Sequence, residues 1–128
     1  MKSPLESRAE VDALDTLHDR RRTLLADLAP LRAMHGAFGM FDPKRKALVE
    51  SMKVRARLRL TETGGKVTDA IIDAEAHCDP QYQRWLDEQL TEKVKYIQLE
   101  AQYDELVELI RNREISLQVF NAEIRFQR

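Results

Sequence analysis

A regular alternation of apolar residues three and four positions apart constrains this chain more than any other feature of its sequence. It runs through four heptads with one arginine among its members: Tyr96, Leu99, Tyr103, Leu106, Ile110, Arg113, Leu117, Phe120 and Ile124. Residues at this spacing lie on one face of an α-helix. A second stripe that starts at Leu86 extends the pattern back to Pro80. Residues 80–126 are therefore predicted to form one helix of about 47 residues, about 70 Å long.

A rod of this length must pack along another helix, either of the same chain or of a second copy. The prediction is a homo-oligomer whose interface follows the later part of the repeat: Leu99, Tyr103, Leu106, Ile110, Arg113, Leu117, Phe120 and Ile124. In that interface Arg113, paired with an acidic neighbour, would fix the register of the helices and would have no catalytic role.

The chain ahead of this rod begins with a second long helix. Ser3 followed by Pro4 is typical of a helix start, and apolar residues recur from there at helical spacing. Pro30 is expected to end or kink this helix near Ala29. Residues 35–41 contain two glycines and are predicted to form a joint with three apolar anchors, Phe38, Met40 and Phe41.

A basic helix is predicted to follow the joint. Asp42 and Pro43 mark its start, and it runs to about Glu62, before two consecutive glycines. Within it, residues 53–60 (KVRARLRL) alternate strictly between basic and apolar, which is the period of a strand. Helix is still the prediction, because Ala, Leu and Arg favour helices and Val54 is the single β-branched residue there.

The remaining segment is a short helix over residues 70–77, predicted to be capped by Thr68 or Asp69, after which Asp79 and Pro80 begin the rod. The fold class is therefore all-α, an elongated helical hairpin or coiled-coil protein. We expect one helical domain over residues 1–128, made of the N-terminal helix and joint, the basic helix with its glycine break, and the short helix with the long one: 1–41, 42–66 and 67–128.

Charge is distributed very unevenly along the chain, although the formal total is −1. Residues 43–66 hold eight basic and two acidic side chains and carry +6, whereas residues 67–128 carry −6 and residues 1–42 carry −1. Two interpretations remain open. The basic segment pairs with acidic residues of the C-terminal helix, or it binds an external anion.

Arginines in the basic segment are candidate phosphate ligands, because guanidinium groups grip phosphates bidentately. The candidate nucleic-acid-binding residues are Lys53, Arg55, Arg57, Arg59 and Lys66. On an ideal helix Arg55 and Arg57 stand about 200° apart, so both cannot face one strand squarely. The competing interpretation is a solvated, internally paired helix.

No motif for catalysis or for a cofactor is present. The three histidines lie far apart without metal-ligand spacing, and no serine or cysteine has the context of a nucleophile. The predictions are therefore no metal, no cofactor and no enzymatic activity. One cysteine, Cys78, fits a reducing compartment, and neither a membrane-spanning run nor a secretory signal is recognisable. These features predict a location in the cytoplasm.

The stretch KVRARLRLTETGGK, the short helix after it, and the segments DPQYQRWLDEQL, YIQLEAQY and IRNREISLQVFNAEIR together resemble phage recombination mediators of the UvsY type. The resemblance covers residues 45–126. It implies a cyclic oligomer, in the cytoplasm of a bacterium or a phage-infected host, that binds single-stranded DNA and helps a RecA-type recombinase displace the single-strand-binding protein. The family's basic pair would fall on Arg55 and Arg57, and the C-terminal helix would be the assembly element. The chain departs from the family at Arg59, where an acidic residue is usual, and in its longer N-terminal helix.

Two functions from different classes follow. The first is a non-enzymatic oligomer that binds single-stranded DNA and has a recombinase or a single-strand-binding protein as its partner. The second is a coiled-coil structural or adaptor protein, for phage assembly or replication, that does not bind nucleic acid. The +6 segment favours the first, because an adaptor has no need for so many arginines.

Overall fold

The computed structural model describes residues 4–126, with side chains from residue 8 onward. These residues form four α-helices: α1 (Pro4–His35), α2 (Phe41–Glu62), α3 (Asp69–His77) and α4 (Pro80–Phe126). The all-α class is confirmed, and so is a single 47-residue helix over residues 80–126. The predicted capping role of Ser3 lies outside the described residues.

Residues 4–30 and 97–126 form one compact unit, which we call the terminal unit. In it α4 packs against α1, and the two segments run antiparallel, since His18 contacts Glu114 while Asp27 shares a groove with Gln102. The side chains buried in this unit come from both helices: Leu28, Leu106, Ile110 and Phe120.

The repeat of α4 is therefore satisfied largely within a single chain. Leu106, Ile110 and Phe120 are buried there, and four other members of the predicted oligomer interface are half-buried: Leu99, Tyr103, Leu117 and Ile124. Their burial requires no second copy. Arg113, predicted to lie in the seam, is exposed instead, and in the described part of the chain it makes no ion pair.

Residues 31–96 form a second compact unit, the central unit. Its core joins α2, α3 and the beginning of α4 through Val49, Met52, Ala76 and Tyr82. A group of rings packs beside that core, with His35 next to Phe41 and Tyr96, and Phe41 stacked on Trp85 at a centroid distance of 5.5 Å. Tyr82, Trp85 and Tyr96 thus serve in packing.

Two expected helix boundaries, an end of α1 near Ala29 and a cap of α2 at Asp42, are wrong. α1 continues through Pro30 to His35. A proline removes one backbone hydrogen bond, and the fully buried Leu28 anchors the preceding turn. α2 begins at Phe41, before the predicted cap; Asp42 lies in its first turn, 3.7 Å from the Nε atom of Arg45.

The predicted anchors of the joint behave differently from one another. Phe41 packs on Trp85, but Met40 is half-exposed and the side chain of Phe38 is fully exposed. The glycine break after α2 is as predicted: Thr63 caps the helix, and Gly64 has a φ of 71°, a left-handed conformation that favours glycine. Thr68, one of the two predicted caps, accepts a hydrogen bond from the backbone N–H of Ile71.

Within residues 4–126, each helix is too short or too polar to span a bilayer.

Candidate nucleic-acid interface

The helix α2 turns the alternating sequence KVRARLRL into three distinct faces. Met52 and Ala56 are one helical turn apart and are 4% and 2% exposed, so they define the face that packs on the rest of the unit. Val54 and Leu58 lie on the opposite side and are more than half exposed. The basic residues flank the buried face on both sides.

Helix α3 crosses the buried face of α2 and brings two carboxylates to its flanks. The Nζ atom of Lys53 lies 3.5 Å from Oδ1 of Asp73 and 3.3 Å from Oε1 of Glu50. On the other flank, Nη2 of Arg59 donates to Oε2 of Glu75 at 2.6 Å. The hydrogen bond with Glu50, and then the charges of Glu50 and Asp73, raise the pKa of Lys53 above its usual value.

Arg55 is held by a neutral partner. Its Nη1 atom donates to Oε1 of Gln81, in the first turn of α4, at 2.7 Å, and lies 3.8 Å from the sulfur of Met52. An amide oxygen orients a guanidinium without cancelling its charge. Arg55 therefore remains a fixed positive charge at the surface.

Arg57 points away from all of these partners. It is exposed, and no hydrogen bond or ion pair of its side chain occurs among the described residues; the same holds for Lys44, Lys46 and Lys66. Lys46 and Arg57 are eleven residues apart, so they share one face of an ideal helix, separated by about 20° and about 16 Å along its axis. These four cations are available to an external anion.

The five predicted binding residues are thus not one contiguous set. Lys53 and Arg59 pair with carboxylates, Arg55 is oriented by an amide, and Arg57 and Lys66 are unpaired within the described residues. Apart from Glu50 of α2 itself, the paired carboxylates come from α3, not from the rod that the sequence suggested. Internal pairing therefore holds for a part of the basic segment, and binding of an external anion stays a prediction for the rest.

The net charge of the basic segment survives this pairing. Among residues 8–126, three carboxylates from outside residues 43–66 reach its cations, namely Asp42, Asp73 and Glu75. They reduce the formal charge of the segment from +6 to +3. A surface with this excess attracts polyanions.

Other parts of the described chain offer weaker candidates for a binding site. Within residues 8–126, no three His, Cys, Asp or Glu side chains come close enough together to hold a metal ion. A groove between α1 and α4 in the terminal unit is lined by side chains of mixed charge, including Asp19, Arg20, Asp27 and Glu105. The charges that line the groove are of both signs, and the groove lacks the convergent polar groups of a binding site.

Sequence reasoning missed one residue of interest, Phe38, which it treated as an anchor. Its isolation between Gly36 and Gly39 was the signal available, because an aromatic residue in so short a glycine-flanked turn has little to pack on.

Comparison of the chain with protein-family models, curated proteins and solved structures finds no match.

Proposed function

We propose that this protein binds single-stranded DNA through the basic surface of α2, without sequence preference and without enzymatic activity. The observation that carries the proposal is the group of four exposed cations that have no intrachain partner in the described residues: Lys44, Lys46 and Arg57 on α2, and Lys66 in the segment after it. Arg55, fixed by Gln81, adds a fifth charge at a defined position.

The arrangement favours backbone contacts over base reading. Lysines and arginines on one exposed helix bind phosphates, and phosphate contacts carry no sequence information. The +3 excess after internal pairing supplies the attraction. A flexible single strand can follow cations that are spread over different faces of α2, whereas a rigid duplex requires them to be aligned.

The biological role we propose rests on the resemblance to phage recombination mediators. In that role the protein would bind a single strand and help a RecA-type recombinase replace the single-strand-binding protein. Self-association is part of the proposal. Because the repeat of α4 is occupied within the chain, we assign the contact between copies to exposed apolar residues of α4 such as Leu90 and Val94, which are 64% and 50% exposed.

The proposal is tested by titrating a labelled oligonucleotide of mixed sequence at several salt concentrations. For a single strand, each phosphate contact contributes about −0.7 to the slope of log affinity against log salt. Arg57→Ala should therefore flatten the slope by about 0.7, and Lys46→Ala with Arg57→Ala by about 1.4. Folding should not change, because both side chains are exposed.

The matched control is Arg22→Ala. Arg22 is also an exposed helical arginine, 3.5 Å from the carboxylate of Asp19, but it lies in the terminal unit. It should leave the slope unchanged. The proposal fails if the wild-type protein shows no salt-dependent binding, or if the Arg57 and Arg22 variants bind alike.

An adaptor that does not bind nucleic acid is the second candidate function. The observation that favours it is the exposed apolar side chains of the central unit, on α2 (Val54 and Leu58) and on α4 (Leu90 and Val94). Exposed apolar residues at helical spacing are typical of protein contacts. If this function is right, the wild-type protein should not bind the oligonucleotide at any salt concentration, although Leu90→Asp with Val94→Asp abolishes its self-association in light scattering.

A further inference from the structure

The turn between α1 and α2 presents a bare aromatic ring on a fixed backbone. Phe38 is fully exposed, with a relative accessibility of 101%, and no other large apolar side chain of the described chain is as exposed. A phenyl ring that is exposed to water lacks the stabilisation of about 1.5 to 3 kcal/mol that burying it would give. The whole ring is therefore accessible to a partner.

The backbone of this turn is closed by its own hydrogen bonds. Gly36 N–H donates to the carbonyl of Arg32 at 2.8 Å, and Gly39 N–H donates to the carbonyl of Gly36 at 2.9 Å. Met40 N–H donates to the carbonyl of Ala33, also at 2.8 Å. A side chain at either glycine would collide with a carbonyl oxygen of α1. The ring therefore projects from a preorganised turn, not from a loose loop.

Two lysines follow this turn at the start of α2. Lys44 N–H donates to the carbonyl of Met40 in the first turn of α2, which places Lys44 and Lys46 one to two helical turns from the loop that holds Phe38. Both lysines are exposed and have no partner in the described residues. An aromatic face beside unpaired cations is the combination by which proteins hold single-stranded nucleic acid, stacking a base and binding its phosphates.

We propose that Phe38 is a base-stacking residue for a single-stranded nucleic acid whose phosphates are bound by the lysines at the start of α2. This inference rests on the proposed function and adds to it a contact with the bases. Stacking tolerates any base, because every base has a π-face. The contact therefore increases affinity without introducing sequence preference.

The test compares a labelled oligothymidylate with a strand of the same length made of abasic nucleotides. Phe38→Ala should weaken binding of the oligothymidylate about 5- to 150-fold, the range expected for one stacked base. The salt slope should stay the same, because no charge is removed. Phe38→Trp should restore the affinity, whereas Phe38→Leu, apolar but not aromatic, should bind as weakly as the alanine variant. On the abasic strand all variants should bind like the wild type.

Met40→Ala is the control, since Met40 lies in the same turn and is half-exposed but not aromatic. It should leave the preference for the strand with bases intact. Equal binding of that strand by wild type and Phe38→Ala overturns the stacking proposal and leaves the proposed function standing. Full affinity of Phe38→Leu also overturns it, and indicates an apolar contact of the kind that proteins make. Absence of any binding by the wild type refutes the proposed function itself.

Discussion

If the proposed function is right, removing one carboxylate should strengthen the binding of DNA by this protein. Glu75 on α3 accepts the 2.6 Å hydrogen bond from Arg59 and neutralises it. Glu75→Gln keeps the shape of the side chain but removes its charge, so Arg59 becomes free to bind a phosphate. The formal excess on the basic segment then rises from +3 to +4.

The size of the effect follows from the geometry of the pair. The two side chains are 55% and 45% exposed, so losing their ion pair costs at most about 1 kcal/mol of folding stability. One added phosphate contact steepens the salt slope by about 0.7. Between 50 and 200 mM salt, the affinity of the variant should therefore fall about 2.6-fold more than that of the wild type.

The assay is fluorescence anisotropy of a labelled oligonucleotide at four or five salt concentrations, with thermal melting alongside it. Glu114→Gln is the matched control, because it changes the total charge equally but acts in the terminal unit, where Glu114 lies 3.3 Å from His18. A gain of affinity cannot arise from damage to the fold. Unchanged or weaker binding by Glu75→Gln, or an equal gain in Glu114→Gln, would refute the argument that α3 masks part of the interface.

Three further predictions concern the fold. Ile110→Ala should lower the free energy of unfolding by about 2 to 5 kcal/mol, because Ile110 is only 3% exposed in the terminal unit; a loss below 1 kcal/mol in chemical denaturation would show that this side chain is not in the core. Gly39→Ala should lower the free energy of unfolding by about 1 to 3 kcal/mol, since a methyl group there meets the carbonyl oxygen of Met34. A melting temperature equal to that of the wild type would contradict the closed turn. Arg113→Leu should change the free energy of unfolding by no more than about 0.5 kcal/mol and leave the particle mass measured by light scattering unchanged, because Arg113 is exposed. A change in that mass would support the prediction that Arg113 fixes the register of the helices.

The sequence predicted the helices well because their signals are local. The repeat in α4, the end of α2 before Gly64 and the cap at Thr68, one of two predicted, depend on neighbours within one or two turns, and each is found in the structure. In residues 53–60 the period of a strand competed with helix propensity. The segment is helical, as its propensity predicted, and the alternation places Val54 and Leu58 on the exposed side of the helix.

The pairing of charges could not be predicted in the same way. Arg59 and Glu75 are sixteen residues apart, and their contact depends on how α3 crosses α2 after the turn at Gly64. Periodicity gives the face of a helix but not the angle at which a neighbour crosses it. The same limit explains why the rod was expected to pair with another copy: a heptad repeat shows that a helix needs a partner and does not show which one.

The division of the chain into two units has a consequence for the order of folding. The central unit is continuous in sequence, whereas the terminal unit joins residues 4–30 to residues 97–126 across 66 intervening residues. Closing a flexible loop of that length costs about 4 kcal/mol of chain entropy. If the central unit folds first, most of this chain entropy is lost in that step, because its helices then already hold the two ends of the loop. Substitutions in the central core should therefore slow refolding of the whole chain, whereas substitutions in the terminal unit should mainly speed its unfolding.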